Sequence, residues 1–331
     1  MIKNNFLRGF EADEPRISGF FKLQKIRTKK KFISNQKSKV IVILGQTATG
    51  KSSLAVKIAE KFNGEIISAD SRQVYKYLDI GTGKITKKEM RSVPHHLLDV
   101  VHPKDKFTVT QFKKLAEEKI EEILKRGKTP IICGGTGFYI DAIMKGIVFP
   151  EVPPNKKLRK ILEKKTTQEL FKILKKLDSR RAKNIDAKNK VRLIRAIEIA
   201  KALGKVPYLK ETKSKYKFIK IGLYLPSEKL KKKIEKRVKK MFQDGLLKEI
   251  KKLKKLGVSD KKLREFGFEY HKPTPEKVIT ETIKYAKRQM TWFKRPARMI
   301  HSGGDKEIKW FDASPKDNLF WRASKTIKND F

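Results

Sequence analysis

The chain has 331 residues, with 82 Lys and Arg against 36 Asp and Glu, a formal net charge of +46 and a pI near 10.2. Such a balance suits a polyanion such as RNA, although the excess is mostly lysine spread along every segment, as coding bias alone would also spread it. One cysteine excludes an intramolecular disulfide, no apolar run approaches a membrane span, and the start MIKNNFLRGFEADEPR lacks the basic-then-apolar order of a signal peptide, so a reducing, cytoplasmic setting is expected.

Residues 1–38 end in a basic, weakly apolar stretch and are expected to form a flexible arm. The first informative segment follows. Val40 to Leu44 is an apolar run that predicts a strand, and Ser53 to Ala59 carries a helical pattern. Between them lies Gly45-Gln46-Thr47-Ala48-Thr49-Gly50-Lys51-Ser52, a G-x-x-x-x-G-K-[ST] match in the strand–loop–helix setting that makes it a phosphate site. Glycines let consecutive backbone N–H groups turn toward phosphate oxygens, and the helix places its positive dipole end on the same anion. Lys51 is expected to reach the bridging or terminal phosphate and the Ser52 hydroxyl to ligate Mg²⁺. A diphosphate or triphosphate is thereby expected; the chemistry done with it is left open.

Ile66 and Ile67 predict a short buried strand, which puts Asp70 at a strand's carboxyl end, where open α/β sheets bind ligands. By position alone Asp70 could hold Mg²⁺ through water, cap a helix or act as a general base. Phe107 to Arg126 reads as an amphipathic helix starting at Thr110 and stopped by Gly127. Thr129 to Cys133 predicts another strand, and Gly134-Gly135-Thr136-Gly137 opens a helix at Phe138, offering a hydroxyl and close backbone approach at the strand end. Pro150, Pro153 and Pro154 mark a boundary. Helices are expected over Leu158 to Leu177 and Val191 to Leu203, with no strand pattern between them. Phe218 to Leu225 predicts a returning core strand. Helices follow over Leu230 to Phe242 and Leu246 to Leu256, with solvated lysine faces, and over Thr274 to Phe293, capped near Thr274 and Pro275. Ala297 to His301 and Ile308 to Phe311 are expected as final strands, and 313–331 as a tail.

In their order along the chain, the phosphate loop, Asp70-Ser71-Arg72-Gln73-Val74-Tyr75 with Asp79 to Lys84, Pro94 to Asp99, Gly134 to Tyr139 and Ala286 to Phe293 resemble the tRNA dimethylallyltransferase family. The resemblance runs from about Lys39 to Trp310. It implies an α/β fold, a P-loop NTPase-like parallel sheet with helices on both faces, split into 39–149 and 205–312 by a small all-helical insertion over 150–204 that closes on the tRNA. It also implies the reaction: an adenine exocyclic amine beside the anticodon attacks C1 of dimethylallyl diphosphate and releases pyrophosphate. Asp70 is then the general base, Thr136 an orienting hydroxyl in the same channel, and Arg237, from Lys233-Ile234-Glu235-Lys236-Arg237-Val238, a diphosphate partner. Family tRNA contacts map to Asp70, Ser71, Arg72, Gln73, Arg159, Arg192, Arg195, Lys287, Arg288 and Gln289. The expected partners are the tRNA anticodon arm and dimethylallyl diphosphate, with Mg²⁺ as cofactor and a monomer as the working state.

Three segments depart from the family pattern: Asn184 to Asn189, Thr282-Ile283-Lys284, and Gly267-Phe268-Glu269-Tyr270, where the family usually carries a basic residue at the position of Glu269. The competing possibilities are an adenylate isopentenyltransferase acting on free nucleotide, a small-metabolite P-loop kinase and a non-catalytic RNA-binding P-loop protein.

Overall fold

A computed structural model of the chain describes residues 37–294, 307–314 and 318–331. Six strands form one sheet: β1 (Ser38–Gly45), β2 (Gly64–Ala69), β3 (His95–His96), β4 (Thr129–Gly134), β5 (Tyr216–Tyr224) and β6 (Lys309–Asp312). Their spatial order is β3-β2-β4-β1-β5-β6 and every neighbouring pair is parallel. Parallel strands need crossovers, and helices fill them. The first half carries α1 (Lys51–Lys61), α2 (Lys87–Met90), α3 (Val109–Lys125) and α4 (Gly137–Met144). The insertion holds α5 (Lys156–Leu162), α6 (Thr167–Leu177), α7 (Ser179–Lys183) and α8 (Lys190–Leu203). The second half adds α9 (Ser227–Gln243), α10 (Leu246–Lys255), α11 (Asp260–Phe266), α12 (Pro275–Phe293) and α13 (Leu319–Asp330).

Side-chain alternation along β1 explains the two-faced core. Ile41 and Ile43 point to one face, packed with Leu54 and Ile58 of α1, Ile234 and Val238 of α9, Ala286 of α12 and Ile327 of α13. Val40, Val42 and Leu44 point to the other, with Phe112, Ala116 and Ile120 of α3 and Ile140 of α4. The insertion packs around its own cluster, in which Leu170 and Leu174 of α6 meet Leu193 and Ile197 of α8.

Several elements differ from expectation. Helix α3 starts at Val109, one residue before Thr110, because Thr108 and Gln111 form a reciprocal capping box. The single helix expected over 158–177 is two, since Thr166 caps α6 through the same device with Glu169. The expected tail contains α13, whose Ala323 and Ile327 pack into the core beside α1. The strand expected over Ala297 to His301 and residues 1–36 of the arm expected over 1–38 lie outside the described residues, and Ser38 already belongs to β1.

Candidate active site

The carboxyl ends of β1, β2 and β4 converge on a cleft of about 250 Å³ lined by the phosphate loop, Asp70, Gly81 to Gly83, Gly134, Gly135, Arg237, Glu269 and Tyr285. The loop is held in shape by its own backbone. Gly45 has φ +132°, and a Cβ there would lie 2.1 Å from the Leu223 carbonyl oxygen, so only glycine passes β5 at that distance. Gln46 donates its backbone N–H to Leu223 O at 3.3 Å and accepts the Leu225 N–H on Oε1 at 3.2 Å. Thr49 Oγ1 donates to Gln46 O at 2.8 Å. Gly50 precedes α1 in a left-handed conformation with no side-chain cap, which leaves the first-turn N–H groups of α1 uncapped by any side chain.

Lys51 folds over this loop and donates to Gln46 O. Burial lowers its pKa to about 8, with Arg237 pushing the same way and Cys133 and Asp70 opposing. Burial also pushes the Cys133 thiol up to about 11. Ser52 is exposed at the loop's end. Arg237 reaches the cleft from α9 and donates from Nη2 to Thr82 O at 3.1 Å. Gly83 makes that possible, because a Cβ there would meet Arg237 Nη2 at 1.9 Å. Burial lowers the Arg237 pKa, while Asp70 and Glu269 pull it back up.

Asp70 follows β2 and caps its own turn: Oδ1 accepts from Arg72 N at 2.9 Å and from Gln73 N at 3.3 Å. The next three residues are each tied elsewhere. Ser71 N donates to Thr136 Oγ1 at 3.0 Å, Arg72 Nη1 pairs with Glu269 Oε2 at 2.5 Å, and Gln73 Nε2 reaches Thr82 O at 3.4 Å. Thr136 is therefore a brace behind Asp70 at the start of α4. The 79–81 turn is in turn held by Glu249, which accepts from Asp79 N, Ile80 N and Gly81 N at 2.9, 2.7 and 3.1 Å and from Tyr270 OH at 2.9 Å.

The structure redistributes the residues expected on tRNA. Asp70, Arg72 and Gln73 line the cleft, with the Arg72 guanidinium turned inward over Tyr285 and Phe268. Lys287 and Arg288 are exposed on α12, but Gln289 is buried. Its Oε1 accepts from Thr47 N at 2.7 Å and its Nε2 donates to Gly135 O at 3.0 Å, so it staples the phosphate loop to the turn after β4. Arg159 makes a two-pronged pair with Glu198, at 2.7 and 2.6 Å, and Arg195 bonds Glu198 at 3.4 Å and Val152 O at 2.8 Å. These two arginines knit the insertion together, since Glu198 is buried and charged and needs them. Arg192 is exposed on α8. Glu249 and Tyr285 escaped the sequence analysis. The signal for Glu249 is the lone acid of α10 standing on its apolar stripe with Leu246, Ile250 and Leu253.

A family model described as IPP transferase matches residues 73–296. The chain is 40% identical to a tRNA dimethylallyltransferase of Anoxybacillus flavithermus over 304 residues, covering 87% of this chain and 94% of that one. It is 38% identical to one from Halothermothrix orenii over 318 residues, covering 89% and 94%. Among solved structures, the full-length tRNA isopentenylpyrophosphate transferase of Bacillus halodurans superposes with a TM-score of 0.63 at 33% identity, covering 89% of this chain and 98% of that one. A eukaryotic dimethylallyltransferase acting on tRNA superposes with a TM-score of 0.73 at 30% identity, covering 89% and 79%.

Proposed function

This chain belongs to the IPP transferase family, and from that membership we propose that it transfers the dimethylallyl group of dimethylallyl diphosphate to an adenosine of tRNA. The acceptor is the exocyclic amine of the adenosine 3′-adjacent to the anticodon, and pyrophosphate is released. The observation that carries this is the placement of Asp70 and the phosphate loop in one cleft with Arg237. The amine nitrogen bonds to C1 as the C1–oxygen bond breaks. The electron pair leaves with the diphosphate, and the amine proton passes to Asp70. Uncapped N–H groups of α1, Lys51 and Arg237 stabilise the departing charge. Thr136 and Gln73 hold the Asp70 turn, and Gln289 holds the loop against it. The adenine reaches this depth by leaving its stack.

Mg²⁺ fits the site, because the Ser52 hydroxyl puts a hard oxygen at the end of the phosphate loop, within the cleft. Among the described residues no group of three His, Cys, Asp or Glu side chains could hold an ion alone, so the diphosphate and water would supply most ligands. The ion would neutralise charge on the leaving diphosphate. Lys287, Arg288 and Arg192, all exposed, are the basic residues of the expected set that remain available for RNA phosphates. Among the described residues no helix is long and apolar enough to cross a membrane.

A substrate comparison tests the proposal. Purified protein with dimethylallyl diphosphate and Mg²⁺ should prenylate an anticodon stem-loop and leave free AMP unmodified. Prenylation of AMP in preference to the stem-loop would establish the nucleotide-using alternative, and ATP-dependent phosphorylation of a small metabolite would establish a kinase.

A further inference from the structure

Glu269 is an acid in the same cleft as the cations Lys51, Arg72 and Arg237. It is 5% exposed, lines the cleft with Asp70 and Arg237, and stands where the family pattern noted above has a basic residue. Burial raises its pKa against the pull of Arg72. The chain has built space for the pair it makes. Gly267 has φ +121°, and a Cβ there would lie 3.0 Å from Arg72 Nη1 and 3.1 Å from Glu269 Oε2. Arg72 Nη1 also donates to Phe266 O at 3.3 Å, and its guanidinium lies 5.4 Å from the Tyr285 ring centroid.

Arg72 is two residues from Asp70, and its backbone N–H already bonds Asp70 Oδ1 at 2.9 Å. A guanidinium on a flexible stem that close to a carboxylate has an obvious alternative partner, the two-pronged pair with Asp70 itself. That pair would occupy the oxygens that must accept the amine proton. Lys51 and Arg237 also interact with Asp70, but Lys51 bonds to Gln46 O and Arg237 to Thr82 O. Arg72 is restrained by Glu269.

We propose that Glu269 is a positioning residue that holds the Arg72 guanidinium off the Asp70 carboxylate, keeping Asp70 free to take the amine proton. This rests on Asp70 being the base of the proposed transfer. Glu269 acts through Arg72, its ion-pair partner.

The test is a pair of variants measured by single turnover with saturating tRNA and dimethylallyl diphosphate, alongside the affinity for each. Glu269→Gln should slow the chemical step at least about tenfold, part of the roughly 10² to 10⁴ that a positioned base contributes, with both affinities within about threefold of the parent. Adding Arg72→Met, which keeps an apolar stem beside Tyr285 and Phe268 but removes the cation, should recover most of that loss. Glu269→Asp, which keeps the charge, should be milder than Glu269→Gln. A double variant no faster than Glu269→Gln would overturn the inference, because a purely structural Glu269 gives no recovery. So would a Glu269→Gln variant as fast as the parent. If the parent protein itself does not modify tRNA, the proposed function fails instead, and the two failures are told apart by that control.

Discussion

Gln289→Ala separates two roles for one side chain. As part of the late basic helix it was expected to touch tRNA, yet it is 5% exposed and bonds Thr47 N at 2.7 Å and Gly135 O at 3.0 Å. Two such bonds contribute about 1 kcal/mol each, and leaving the buried Gly135 carbonyl unpaired costs about 1 kcal/mol more, so the substitution should destabilise by about 3 kcal/mol. In a chain of this size that lowers Tm by about 5 °C. If half of the effect falls on the phosphate loop, KM for dimethylallyl diphosphate should rise roughly tenfold, since about 1.4 kcal/mol is a factor of ten. The assay is steady-state kinetics in the diphosphate at saturating tRNA, with tRNA affinity measured separately without diphosphate. That affinity should stay within about twofold. Weakened tRNA binding with an unchanged diphosphate KM would refute the stapling role and return Gln289 to the RNA surface.

Asp70→Asn keeps the turn's shape while removing the proton acceptor, so single-turnover rate should fall by about 10² or more with both substrates still bound; lost tRNA binding at retained rate would make Asp70 a docking residue. Burial lowers Lys51 to about 8, so the folded protein carries that cation below pH 8 and sheds it above. Diphosphate affinity should therefore fall as pH rises through about 8, and a flat profile to about pH 9.5 would show that Lys51 does not titrate there. Arg159→Ala removes the main partner of a carboxylate that is 1% exposed, and with Arg195 still in place should loosen α5 from α8 at a cost of about 3 kcal/mol, visible as faster amide exchange across 156–203. Unchanged exchange with a flattened salt dependence of tRNA binding would mark Arg159 as an RNA contact. Arg288→Ala should flatten the slope of log affinity against log salt by roughly one, whereas neutralising Lys251 and Lys252 on α10 should leave it unchanged; equal effects would mean diffuse RNA binding over the whole basic surface.

What was legible beforehand was local. The phosphate loop, its strand and its helix lie within one short stretch, and each constrains the next. The strands at Ile66 and Thr129 were likewise marked by apolar runs ending in residues that suit a sheet's carboxyl edge. What was not legible joins distant segments. Gln289 is 242 residues from Thr47, and Glu249 is 169 residues from Ile80, so neither bond leaves a trace in spacing. In a chain this basic, an arginine gives little warning of its partner. Arg159 and Arg195 matched an RNA-contact pattern, yet both serve Glu198, whose only signal was an acid on a helix face that is otherwise buried and apolar. The break before α6 was readable from Thr166 and Glu169, but the continuing apolar spacing across it suggested one helix. Helix α13 follows Asn318, a residue type that favours helix starts but here makes no side-chain cap bond, and the spacing of Ala323 and Ile327 announces a packed face.

The central claim is tested most directly by mass analysis of nucleosides from bulk tRNA incubated with the purified protein, dimethylallyl diphosphate and Mg²⁺. Adenosine should gain one C5H8 unit, stoichiometric pyrophosphate should appear, and Lys51→Ala protein should produce neither. Unmodified adenosine after incubation with folded, tRNA-binding protein would contradict the assignment.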